Sequence, residues 1–120
     1  MCKQLARILI VEDEPMIALN LEELLVSEGF AIAGVAEKLE KAMGLVDQGL
    51  CDAAIVDANL AGVSASPVAS ALTARGLPFI VLSGYSPEQL PDAFRGALFI
   101  KKPCRPNQII RALNSMILKP

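Results

Sequence analysis

Five short apolar runs constrain the fold more than any other feature of this chain. They are "RILIV" at Arg7–Val11, "AIAGV" at Ala31–Val35, "AAIV" at Ala53–Val56, "FIVL" at Phe79–Leu82 and "ALFI" at Ala97–Ile100. They are continuously apolar and do not alternate, which is the pattern of strands covered on both faces. Helical spacing fills the gaps. Ile17, Leu21, Leu24 and Leu25 form a stripe after Pro15 that stops at Gly29, and Leu39, Met43 and Val46 form a second that stops at Gly49. Ser66 and Pro67 read as a cap and first-turn pair, leading through Val68, Ala71 and Leu72 to Gly76. Pro106 opens a last helix with the stripe Ile109, Ile110, Leu113 and Ile117. One gap breaks the rule: "SPEQLPDAFRGA", Ser86–Ala97, puts Pro91 where a helix interior belongs, at a cost of about 3 kcal/mol. A short, broken or mobile segment is expected there.

Strand and helix alternating five times with short connections imply a parallel sheet, right-handed crossovers and helices on both faces. The expectation is a three-layer, doubly wound (βα)5 α/β domain. At 120 residues the default is one domain spanning 1–120. No apolar run approaches the roughly 18 residues of a membrane span. The opening "MCKQLAR" runs straight into a strand, without the apolar core and cleavage site of a secretory signal, so a cytoplasmic location is expected. Three scattered cysteines, Cys2, Cys51 and Cys104, with no histidine, argue against a disulfide framework, a zinc site and any Ser-His or Cys-His nucleophile. The net charge of −2 gives no electrostatic case for nucleic acid or an anionic membrane as partner.

In open sheets of this kind ligands bind beyond the carboxyl ends of the strands. Those ends carry Glu12 and Asp13 after the first run, Asp57 after the third, Ser83 after the fourth and Lys102 just past the fifth. Two carboxylates about 4 Å apart repel by roughly 4 kcal/mol at an effective dielectric of 20, so converging acids call for a cation. Mg²⁺ suits them, because it takes a few carboxylate or carbonyl oxygens and accepts phosphate oxygens as further ligands. Asp57 beside such an ion is a candidate nucleophile toward a phosphoryl group, with the Ser83 hydroxyl and Lys102 ammonium placed to meet its oxygens. Lys101 faces away by strand alternation. Each element alone has an ordinary explanation: acids favour a helix N-terminus, Asp57 suits a turn, Ser83-Gly84 a loop, and Lys102 a solvated surface. Their joint placement at strand ends is what argues for a site.

Glu12-Asp13, Asp57, Ser83 and Lys102-Pro103 together resemble the response-regulator receiver domain of two-component signalling, over essentially the whole chain. The resemblance implies a flavodoxin-like sheet of order 2-1-3-4-5 and phosphorylation of Asp57 by a histidine kinase or phosphotransfer protein. It implies Mg²⁺ held by Asp13, Asp57 and the main-chain carbonyl of Asn59, with Glu12 acting largely through water. It also implies a cis peptide bond between Lys102 and Pro103. "DANLAG" at Asp57–Gly62 with "RGLPFIVLSGYS" at Arg75–Ser86 is similar to the receiver subgroup nicknamed FAT GUY: Pro78, Phe79, Gly84 and Tyr85 agree, while Val81, Leu82 and Ser83 depart. That subgroup implies bacterial, often single-domain regulators with a poorly formed fourth helix.

The family further implies a switch in which Ser83 moves toward the phosphoryl group and Phe99 turns inward. Output is then expected through an unidentified downstream protein on the face of the fourth crossover, fifth strand and last helix. Phe99 lacks the hydroxyl usual at its position, and Tyr85 is placed to share the switch. If the native protein is no longer than this chain, its output is a protein contact or relayed phosphate. The chain is then no enzyme beyond its own phosphorylation and dephosphorylation. The competing reading is a small Mg²⁺-dependent phosphohydrolase of the haloacid-dehalogenase kind, which needs a second acid where Asn59 stands. A flavodoxin-like cofactor binder is disfavoured by few aromatics and no Gly-rich phosphate loop after the first strand.

Overall fold

The computed structural model describes residues 6–117. Cys2 and most of the "MCKQLAR" segment lie outside the described residues, as does the end of the chain at Pro120. The first run forms β1 (Arg7–Val11), the second β2 (Ala31–Ala36) and the third β3 (Ala53–Asp57). A two-residue pair follows, β4 (Asn59–Leu60) and β5 (Val63–Ser64); then the fourth and fifth runs form β6 (Phe79–Ser83) and β7 (Leu98–Lys101). The helices are α1 (Pro15–Ser27), α2 (Leu39–Asp47), α3 (Ser66–Ala74) and α4 (Pro106–Ile117).

The five long strands make one parallel sheet of order β2-β1-β3-β6-β7, which is 2-1-3-4-5 once the small antiparallel pair β4-β5 is set aside. The central strands are buried throughout, as unbroken apolar runs require, and the alternation of their side chains feeds two cores. Leu9, Val11, Val56 and Val81 join α2 and α3 on one face; Ile8, Ile10, Ile55 and Ile80 join α1 and α4 on the other. The stops read at Gly29, Gly49 and Gly76 each fall one residue past a helix C-cap with φ between 69° and 91°, the left-handed conformation that ends helices.

The broken segment expected at Ser86–Ala97 is present: the fourth crossover is two single turns of 3₁₀ helix, Pro87–Gln89 and Asp92–Phe94, because Pro91 cannot donate within a helix and instead precedes the second turn. Two details differ from the sequence expectation. Ala65 is the N-cap of α3, and Ser66 is its first residue, its N–H donated to Ser64 Oγ at 3.2 Å. On α1 the buried residues are Ala18, Leu21 and Leu25. Ile17 and Leu24 instead line a groove of about 590 Å³ against α4, floored by Leu82 and Lys102.

Candidate functional site

The strand order reverses between β1 and β3, so their carboxyl ends diverge into a crevice. Glu12 continues β1 by one residue, its N–H bonded to Ala36 O at 2.9 Å, and Asp57 ends β3. Ser83 ends β6, and Lys102 follows β7 with its N–H on Ser83 O at 2.8 Å. Glu12, Asp57 and Ser83, exposed by 1, 6 and 3%, are the buried polar side chains among the described residues, and all three sit at this rim.

One carboxylate oxygen from each of Glu12, Asp13 and Asp57 lies within 4.8 Å of the others. Lys102 Nζ donates to Asp57 Oδ2 at 2.8 Å, and the N–H of Asn59 donates to Asp57 Oδ1 at 3.2 Å. Burial alone would lower the Lys102 ammonium. Its hydrogen bond and attraction to Asp57, with Glu12 and Asp13 behind, outweigh that and raise its pKa above the usual lysine value. Burial pushes the Glu12 carboxyl up to about 7, with Asp57 adding repulsion against the relief given by the Glu14 N–H, which donates to Glu12 Oε2 at 3.1 Å. Glu12 Oε1 is buried with no hydrogen-bond partner. An orphaned buried oxygen beside two more carboxylates fits a divalent cation. Helix capping does not explain these acids: Glu14 is the N-cap residue of α1 and its side chain makes no cap hydrogen bond.

Ser83 Oγ accepts the N–H of Tyr85 at 2.9 Å, and Tyr85 is 61% exposed. Phe99 pairs with Val81 across β6 and β7, half-buried, and lines a 150 Å³ cavity with Pro87, Leu90 and Phe94 under the broken crossover. The Lys102-Pro103 bond is cis. Lys101 is exposed, on the other side of β7 from the buried Ile100. The sequence reading missed the β4-β5 hairpin behind Asn59. Its turn is Ala61 (φ 52°) and Gly62 (φ 90°), and the only hint available was the glycine three residues after Asn59 in "NLAG".

A doubly wound sheet with acids, a hydroxyl and a lysine gathered at its switch point defines a class of phosphoacceptor module. The response regulator receiver domain profile matches residues 8–114, and the chain belongs to that family, a module of phosphorylation-dependent two-component signalling. Among solved structures, SdrG from Sphingomonas melonis Fr1 is 37% identical with a TM-score of 0.80, over 97% of this chain and 99% of that one. The REC domain of the response regulator PhyR from Erythrobacter litoralis is 27% identical with a TM-score of 0.82, over 96% and 92%. The transcriptional regulatory protein PdtaR of Mycobacterium tuberculosis is 30% identical over 111 residues, covering 89% of this chain and 54% of PdtaR. The chain thus spans about half the length of this curated relative. Among the described residues, no helix is long and apolar enough to cross a membrane.

Proposed function

We propose that Asp57 accepts a phosphoryl group from a histidine kinase or phosphotransfer protein, in a Mg²⁺-dependent reaction, and that the phosphorylated domain signals through a protein contact in the cytoplasm. The observation that carries this reading is the setting of Asp57: a buried carboxylate whose Oδ2 is held by Lys102 at 2.8 Å and whose neighbours are two further acids at the sheet's switch point. Asp13, Asp57 and the main-chain carbonyl of Asn59 would hold the ion, with Glu12 behind them. When bound, Mg²⁺ offsets the repulsion between an incoming phosphoryl group and these carboxylates.

The rest falls to the chain's own groups. An Asp57 oxygen forms the new bond to phosphorus as the bond to the donor's leaving atom breaks, and the donor departs with that electron pair. Lys102, freed from its ion pair as Asp57 becomes an acyl phosphate, meets the phosphoryl charge, and the Ser83 hydroxyl leaves the Tyr85 N–H to donate to a phosphoryl oxygen. Phe99 then follows into the space Ser83 leaves. Output falls on the face of the broken crossover, β7 and α4, where the absence of a regular helix supports the FAT GUY subgroup reading. On this account the chain turns over no external substrate.

Incubation with radiolabelled acetyl phosphate and Mg²⁺ tests this. Labelling should stop at one phosphoryl group per chain, require the divalent ion and vanish in Asp57→Ala. Continuous release of phosphate from a generic ester would instead favour the phosphohydrolase.

A further inference from the structure

Asn59 enters the reading above only through its main chain, yet its side chain is not idle. Asn59 Oδ1 accepts the N–H of Gly62 at 2.7 Å, across the tip of the β4-β5 hairpin. That bond closes a turn which needs closing. Ala61, with a Cβ, sits at φ 52°, a conformation L residues enter at a cost, and Gly62 sits at φ 90°. The hairpin has only two residues a strand, Asn59 opposite Ser64 and Leu60 opposite Val63, and a pair this short is not stable by itself in water. One end is anchored: Leu60 is buried, and the Ala65 N–H returns to Ala58 O at 2.9 Å. The Asn59 carboxamide holds the other end.

We propose that the Asn59 side chain is a positioning group for the phosphoacceptor, acting through the hairpin it clasps. The same residue whose carboxamide binds Gly62 donates its main-chain N–H to Asp57 Oδ1 at 3.2 Å. With Lys102 on Oδ2, the two bonds fix the plane of the carboxylate. Reaction at an in-line phosphoryl group is sensitive to that orientation, since a small misplacement of a reacting atom costs orders of magnitude in rate. Releasing the clasp lets residues 59–62 leave their strained turn, and the Asn59 N–H moves off Oδ1. The inference rests on Asp57 being the phosphoacceptor, and it extends that reading to a side chain that does not touch the reacting atoms.

The test compares Asn59→Leu, which keeps the size but not the acceptor, with Asn59→Asp, which keeps an acceptor oxygen at the same place. Two quantities are followed: the labelling rate from acetyl phosphate with Mg²⁺, and amide hydrogen exchange at Gly62 and Asn59 in metal-free protein. Asn59→Leu should slow labelling roughly tenfold and lose protection at both amides, while Asn59→Asp regains protection at both. Unchanged protection in Asn59→Leu overturns the proposal, whatever the rate does, because the side chain then acts directly at the phosphoryl group or not at all. So does an Asn59→Asp protein whose Gly62 amide stays unprotected. Equal labelling of Asp57→Ala and wild type would sink the phosphoacceptor reading instead, and the metal-free exchange data would still decide whether the clasp exists.

Discussion

Burying Glu12 costs the site an electrostatic penalty. Its carboxyl is raised from 4.5 to about 7 by burial and by Asp57, so the folded chain keeps a proton there that the unfolded chain has already released. The stability this contributes is full below about 4.5 and is lost as pH rises through about 7. Glu12→Gln, neutral at every pH, should therefore raise the melting temperature of metal-free protein at pH 8 by about 5 °C, flatten the pH dependence between those values, and weaken Mg²⁺ binding. Thermal melts with a chelator at pH 5 and 8 check the first two; an unaltered slope would mean that Glu12 is not the titrating group. A cation bound at Asp57 would have to compete with Lys102, which holds Asp57 Oδ2. Lys102→Met should tighten Mg²⁺ binding several-fold by calorimetry while slowing labelling at least tenfold, since the charge that hinders the metal is the one that meets the phosphoryl group. The positions of Glu12, Asp57, Ser83 and Lys102 are legible in the sequence because each ends an apolar run, and a run fixes where its strand stops. The Asn59 clasp is not, because it depends on Ala61 adopting a positive φ, which no periodicity announces.

Among the described residues, the 3.6-residue and continuous-apolar patterns locate the four α-helices and the five strands of the main sheet, and Pro91 marks where a helix fails. What the pattern does not resolve is which of two adjacent stripes faces the core: α1 is apolar on several sides, so Ala18 takes the place the spacing gives to Ile17. Contact between β2 and α2 is set by a glycine. A Cβ on Gly34 would lie 2.8 Å from Leu45 Cδ1, so Gly34→Ala forces that flexible side chain aside. We expect a loss of about 1 kcal/mol, or roughly 5 °C in melting temperature. In a Leu45→Ala background the same change should cost little. Additive losses in the double variant would show that strain in β2 itself, and not the Leu45 contact, is responsible.

Taken as a whole molecule, the domain presents its phosphoacceptor rim beside an apolar helix. Met16, Leu19 and Val26 of α1 are 66, 46 and 58% exposed, while Ile17 and Leu24 line the groove that Lys102 shares with the site. An exposed apolar face of this kind is a surface that a partner protein can cover. A protein donor seated there would bring its phosphoryl group to the rim. Leu19→Glu should then slow transfer from the cognate donor protein by tenfold or more and leave labelling by acetyl phosphate unchanged. Equal slowing with both donors would trace the defect to the site or the fold and not to docking. The groove is not legible in the sequence, because it arises from α1 and α4, far apart in the chain, packed on one face of the sheet.

The central claim is that Asp57 carries the phosphoryl group, and borohydride trapping reads it out directly. Reduction of an aspartyl phosphate leaves homoserine in place of aspartate, so peptide mass spectrometry after phosphorylation and reduction names the acceptor. The account predicts homoserine at position 57 alone, in protein phosphorylated with Mg²⁺ present. Homoserine at position 13, or none in protein that has nonetheless taken up label, would contradict it.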